Sequence, residues 1–242
     1  HKVTKLWMSP TSVRALMKHG DEWPKKHDLS SLKLVACAGE VLNPPAWEWL
    51  QKKVFEDRIP VVDHMWQTES SGPMVGNPYG IALLPTKPGS ATIPLPGIDA
   101  EIVDEEGKPV PSGTEGVFVC KRPFPGLAPT LWRNNERYVQ DYWDKIPGFY
   151  YTGDAAMKDQ DGYMWFLGRV DEVIKISAHR IGTIEIENAL LQNPAVVEAA
   201  VVGVPDPLRG ETACALVVLR SGHQPNNGLK QVLKDQVKRK LG

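Results

Sequence analysis

The pattern of apolar and polar positions divides the chain into three stretches of different character. In the first, Ser9-Pro10 opens a segment of helical apolar spacing that stops at Gly20. A serine cap, a proline in the first turn and a closing glycine together predict a helix. Leu32 to Ala38 is a short apolar run between turn residues, which predicts a buried strand. Asn43-Pro44 caps a second helix expected to run through Phe55, and Pro60 to His64 is a second buried strand. Strand, helix and strand in alternation predict an α/β layer on a largely parallel sheet. From Ile98 to Val119 the pattern changes to alternating strands broken at Glu106-Gly107 and Ser112-Gly113, a β-rich section. A strand pair, Phe149 to Lys158 and Tyr163 to Leu167, follows around Asp159-Gln160-Asp161-Gly162. The third stretch begins near Asp171: strand (Val173 to Ser177), helix (Thr183 to Gln192), strands (Val196 to Val204, Ala213 to Leu219) and helix (Leu229 to Leu241). It forms a separate α+β unit, with a domain boundary expected at Asp171.

Composition narrows the function classes. Apolar residues make up 42% of the 242 positions and charged ones 24%, a globular balance. Basic and acidic side chains number 28 and 29, a net charge of -1 that gives no excess of cations for displacing counterions from nucleic acid. No apolar run reaches the roughly 20 residues that cross a bilayer. A soluble, cytoplasmic protein with no nucleic-acid or membrane partner is expected. The three cysteines, Cys37, Cys120 and Cys214, are far apart in apolar segments, without close histidines. They read as buried strand residues in a reducing compartment rather than as disulfides or zinc ligands.

Four clusters carry chemistry. Asp63 to Ser70 ends a predicted buried strand, where ligands of parallel sheets gather. In it Thr68 offers a hydroxyl to phosphate and Glu69 a hard oxygen to Mg²⁺; a polar strand end around a core tryptophan fits the same residues. Gly39-Glu40-Val41 follows the first strand, and its glycine allows the main chain to approach a flat ring, although a plain strand-to-helix turn has the same appearance. Asp154, in Tyr151-Thr152-Gly153-Asp154, can accept two hydrogen bonds from a vicinal diol or merely close a turn. Arg169 and Arg180 flank the predicted boundary and can grip ribose or phosphate, or form surface ion pairs.

Taken in order, Trp66 to Ser70, Tyr150 to Asp154, Gly168 to Glu187 and Glu198 to Asp206 resemble the acyl-adenylate-forming family of acyl-CoA synthetases, luciferases and adenylation domains. The resemblance runs from about Lys5 to Gly242; Asp63 to Ser70, Pro88 to Gly97 and Glu136 to Trp143 look most like its acetyl-CoA synthetase branch. It implies an α/β fold: the C-terminal part of a large adenylate-forming domain over residues 1–170, with a mixed sheet and a small β-barrel-like section, and then a small mobile α+β domain over 171–242. The activity implied is that of an AMP-forming ligase. Acetate and ATP give acetyl-AMP, and CoA then takes the acetyl group, with Mg²⁺ as cofactor. A propionyl or other short- to medium-chain ligase and a carrier-loading adenylation domain are the competing readings.

By similarity, Gly39, Glu40 and Val41 would line the adenine site, where the family usually has Pro in place of Val41. Asp63, His64, Met65, Trp66, Gln67 and Thr68 would complete the nucleotide pocket, with Thr68 at the α-phosphate and Glu69 on Mg²⁺. Asp154 and Arg169 would hold the ribose, Arg180 would face the phosphates, and Asp171 would be the hinge. Trp66 would wall the acyl pocket and favour a two-carbon acid. Ser9, Ser177, Ala178 and Lys238 would border CoA; the family has Gly at Ala178 and Arg at Lys238, and Lys238 also belongs to a helix-spaced stripe with Lys230 and Lys234 that fits an ordinary solvated face. An additional metal site would use the carbonyls of Leu191, Asn193 and Val196. The phosphate loop and the adenylation lysine of the family are absent between His1 and Gly242, so a segment without turnover of its own is expected.

Overall fold

The computed structural model describes residues 1–176, 179–207 and 210–241. The first sheet has the order β1 (Lys5–Met8), β2 (Leu34–Ala38), β3 (Val61–Gln67), β4 (Gly72–Gly76), β5 (Ile93–Pro94). Its first three strands are parallel, with Lys5 opposite Leu34 and Val35 opposite Val61; β4 and β5 add antiparallel. The sequence anticipates β2 and β3 but not β1, whose apolar run, Leu6-Trp7-Met8, is only three residues long and mostly exposed. β3 also continues past the predicted His64 to Gln67, which carries the strand to the site.

Helix α1 (Pro10–Met17) starts as expected: Ser9 accepts a hydrogen bond from the Ser12 amide, and Gly20 turns the chain with φ +89°. After Asn43, helix α2 (Pro44–Glu48) passes into a wider π-helical turn over Trp49–Val54. That turn carries Gln51, whose buried amide accepts from the Val61 amide at 3.0 Å and donates to the Ile59 carbonyl at 3.1 Å. The helix end thus satisfies the start of β3, whose main-chain groups are too buried to reach water. Val35, Cys37 and Val61 face these helices and pack on Val13, Leu42 and Leu50.

A second sheet, antiparallel throughout, has the order β6 (Ala100–Val103), β7 (Glu115–Cys120), β8 (Tyr150–Lys158), β9 (Met164–Arg169). Ile102, Phe118, Tyr150 and Met164 fill its core with Met74 and Val75 of β4, so the two sheets share one apolar layer. Helix α3 (Asn135–Tyr142), capped by Asn134, packs against β8. Its sparse apolar positions gave no periodic signal.

Beyond a 3₁₀ turn at Val170–Glu172 lies a third sheet of order β11 (His179–Gly182), β10 (Val173–Ile176), β13 (Gly210–Leu219), β12 (Val196–Asp206). Helices α4 (Thr183–Leu191) and α5 (Asn227–Leu241) pack on it around Ile174, Ile186, Val201 and Leu233. Cys37 and Cys120 are buried as expected, but Cys214 is exposed: it pairs with exposed Val202 on the uncovered face of the β12–β13 hairpin. Among the described residues no helix is long and apolar enough to cross a membrane.

In the second sheet, a Cβ at Gly116 would stand 2.6 Å from the Val103 carbonyl oxygen and 2.9 Å from Ile102 Cγ2. Main chain cannot swing aside as a side chain does, so Gly116→Ala is expected to lower the unfolding free energy by about 1–3 kcal/mol. Urea denaturation measures it, and an unchanged midpoint would show that the strands part freely there.

Candidate functional site

The carboxyl ends of β2 and β3 face the β8–β9 hairpin across a cleft of about 250 Å³. Gly39, Glu40 and Val41 from the loop after β2, Asp63, His64, Met65 and Trp66 from β3, and Asp154 and Arg169 from β8 and β9 all line it. Nine residues singled out in the sequence therefore line one cleft, although they span the chain from position 39 to position 169.

Local chemistry explains each placement. Asp63 is buried, and its carboxylate accepts from the Leu42 amide at 3.1 Å and the His64 amide at 3.0 Å, which fastens the loop after β2 to the end of β3. Burial pushes its carboxyl up to about 7. Glu40 is held from the other side: Arg14 donates to it at 2.7 Å, and the Thr11 amide and hydroxyl at the start of α1 both donate to it. Gly39 has φ +101°, a left-handed conformation that side chains disfavour. His64 is buried with Nδ1 unpartnered among the described residues, and burial depresses its pKa to about 4, so the ring is neutral at ordinary pH. Trp66, 41% exposed, lies at the rim with its ring 6.2 Å from that of Trp7.

Asp154 and Arg169 are directly opposed partners of β8 and β9. Gly153, within β8, has φ +75°, and a Cβ there would come within 2.3 Å of the Arg169 guanidinium, so glycine leaves the space which that side chain occupies. Arg169 Nη1 donates to the Thr152 carbonyl at 2.7 Å and to Asp154 Oδ1 at 3.4 Å. Gln67 Nε2 reaches across from β3 to the same carbonyl at 2.7 Å and to Asp154 Oδ2 at 3.0 Å. Burial raises the Asp154 carboxyl to about 6, against the opposing pull of Arg169.

The next residues lie just beyond the cleft-lining set. Thr68 is exposed at the start of a 3₁₀ turn (Thr68–Ser70), and Glu69 Oε1 accepts from the Tyr142 hydroxyl at 2.6 Å. Asp171 is exposed beside Arg169, 3.4 Å from its Nε. Arg180 lies in β11 with its main chain opposite Lys175, and its side chain is outside the described residues, as are Ser177 and Ala178. Ser9 serves as the cap of α1, and Lys238 lies on α5 beside Asp235, away from the cleft. The Asn193 carbonyl accepts from the Val196 amide at 2.9 Å in the turn after α4, with Leu191 and Val196 beside a small cavity of about 30 Å³. Among the described residues no three His, Cys, Asp or Glu side chains gather as a metal cluster.

The sequence gives no site role to Gly89, Ala91, Phe166, Glu172 or Ile184, which also line the cleft. Phe166 sits two residues from Gly168 in a predicted strand and Glu172 beside the predicted boundary, so strand alternation and adjacency were available signals; Gly89, Ala91 and Ile184 depend on tertiary placement.

Comparison with known proteins places the chain in a family. Residues 1–132 match a family model described as AMP-binding enzyme, and residues 185–242 one described as AMP-binding enzyme C-terminal domain. An acetyl-coenzyme A synthetase of Rubrobacter xylanophilus is 49% identical over 242 residues, covering 100% of this chain and 37% of that protein. One from Pyrobaculum aerophilum is 45% identical over 240 residues, covering 99% and 36%. The structure of an anthranilate CoA ligase in complex with anthranoyl-AMP superimposes with a TM-score of 0.86 at 30% identity, covering 100% of this chain and 44% of that one. The chain spans little more than a third of the length of the curated relatives it matches.

The buried carboxyl of Asp63 has a testable consequence. Its folded pKa, about 7, lies above the ordinary 3.8, so the folded chain binds this proton more tightly than the unfolded chain. Its contribution to stability is therefore fullest at acid pH and is lost as pH rises toward 7. Asn keeps an oxygen acceptor without the charge. Urea unfolding of Asp63→Asn at pH 5 and pH 8 should show a smaller loss of stability between the two than the wild type shows; equal losses would remove Asp63 as the source.

Proposed function

The chain belongs to the AMP-binding enzyme family, and from that premise we propose that it is part of an AMP-forming acetate–CoA ligase of the cytoplasm. Carboxylate and ATP give acyl-AMP and pyrophosphate; the CoA thiol then attacks the acyl carbon, releasing AMP. What chiefly supports this reading is the convergence of Asp154, Gln67 and Arg169 with the Gly39–Val41 loop and Trp66 around one cleft. The loop, open at Gly39, suits adenine, and the carboxylate of Asp154 suits the two ribose hydroxyls, since an ionised carboxylate is acceptor-only. Arg169 then steadies the carboxylate and borders the ribose.

Residues 1–170 are proposed as part of the large domain and 171–242 as the small mobile one, with Asp171 the hinge in the turn between β9 and β10. Rotation there lets one site serve two reactions in sequence. Thr68 and Arg180 are assigned to the phosphates, and Ser9, Ser177, Ala178 and Lys238 to the CoA path; the carbonyls of Leu191, Asn193 and Val196 remain the proposed additional metal ligands. Glu69 fits Mg²⁺, which takes one or two hard carboxylate oxygens together with phosphate oxygens, and its carboxylate is already oriented by Tyr142. When bound, Mg²⁺ supplies charge neutralisation at the phosphates.

Two measurements test the reading. Because the diol bonds require ionised Asp154, the affinity for adenosine, which has no phosphate to titrate, should weaken by calorimetry as pH falls through about 6, and Asp154→Ala should abolish that dependence. A pH-independent affinity in the wild type would remove Asp154 from the ribose. In the ligase, Trp66→Gly should shift preference from acetate to acids several carbons longer, read as kcat/KM across a chain-length series. An unchanged series would remove Trp66 from the acyl wall.

A further inference from the structure

Tyr150 opens the motif that ends at Asp154 but has itself been given no role; it is fully buried and its hydroxyl donates to Gln67 Oε1 at 3.1 Å. The Gln67 side chain has two unlike ends. Its Nε2 end is committed to two acceptors, the Thr152 carbonyl and Asp154 Oδ2. Neither of these can donate while Asp154 is ionised, so the oxygen end must turn the other way, where the Tyr150 hydroxyl meets it. The phenol itself is fixed by packing: its ring stacks on Tyr142 with centroids 5.5 Å apart and planes within 3°, and Trp143 meets it edge-on at 5.7 Å.

We propose that Tyr150 is a positioning residue that acts through Gln67 to hold the Asp154 carboxylate in the orientation that grips the ribose diol. The inference rests on the reading of Asp154 as the ribose contact. Without the hydroxyl, the oxygen end of the amide loses its donor, and the Nε2 bond to Asp154 Oδ2 is held less firmly, while the other oxygen has the longer, 3.4 Å contact to Arg169. The packing of α3 on β8 is then coupled to recognition of the sugar, at a distance from the nucleotide itself.

Tyr150→Phe removes the hydroxyl and keeps the ring. Calorimetric titration of the wild type, Tyr150→Phe, Asp154→Asn and the double variant with AMP and with 2′-deoxy-AMP separates the possibilities. Loss of one hydrogen bond corresponds to about fivefold in affinity. Tyr150→Phe should therefore weaken AMP about fivefold and 2′-deoxy-AMP less, so the preference for AMP shrinks; in the double variant the Tyr150→Phe loss should vanish. Gln67→Met, which keeps the length of the side chain without its polar ends, should reproduce the effect and serves if Tyr150→Phe does not fold by circular dichroism. If Asp154→Asn erases the preference while Tyr150→Phe and Gln67→Met preserve it, Tyr150 is packing alone and the inference is overturned. If Asp154→Asn also leaves the preference intact, the ribose reading itself falls.

Discussion

The Thr152 carbonyl oxygen accepts from Gln67 and from Arg169, each at 2.7 Å, and the carboxylate of Asp154 is shared between the same two donors. Gln67 comes from the first sheet, and Thr152, Asp154 and Arg169 from the second, so this small polar knot is where the two sheets are registered against each other at the cleft. Magnitudes decide which bond matters. The Arg169–Asp154 ion pair, at 3.4 Å and partly exposed, contributes at most about 1 kcal/mol. A partly buried amide left without partners costs about 1–3 kcal/mol, so the two Gln67 bonds constrain the geometry more than the Arg169 ion pair does.

The main chain is shaped to permit this knot. Gly153 sits in a left-handed conformation between the Thr152 carbonyl and the Asp154 carboxylate, and its lack of a side chain opens the space that Arg169 fills. Arg169 is also the last residue of β9, immediately before the turn at Val170–Glu172. Any rotation of the third sheet about that turn would therefore pivot against an anchored arginine, leaving the Asp154 side of the cleft undisturbed.

Much of this was legible in the sequence because the functional residues lie at strand ends with strong local signals. The apolar runs Leu32–Ala38 and Pro60–His64 mark two central strands, and the polar residues that follow each run fall at one end of the sheet as parallel pairing requires. What was not legible depends on partners remote in sequence. Strand β1 has an apolar run of just three residues, Leu6 to Met8, too short to mark an edge strand that is held by its pairing with β2. Helix α3 buries only Tyr138, too little to register as a periodic face, so Tyr142 carried no sign that it would meet Glu69 from 73 residues away. Cys214 looked like a core residue because its strand is apolar on both faces, while the fold covers just one of them.

The electrostatics of the cleft divide the proposed ligand into halves. Among the described lining residues Glu40, Asp63, Asp154 and Glu172 are acidic and Arg169 is the cation. Arg14 offsets Glu40, and burial raises the carboxyls of Asp63 and Asp154 toward their neutral forms, which blunts the acidity without reversing it. Such a wall favours an uncharged group with hydrogen-bond donors, as a nucleoside is, and offers little to a triphosphate. On the proposed reading, phosphate would draw its stabilisation from the open side, where Thr68 is exposed and Glu69 offers a carboxylate to a cation. The wall can then keep the nucleoside in one place while the groups facing its phosphates are exchanged, which is the division of labour that a two-step reaction on one adenylate requires.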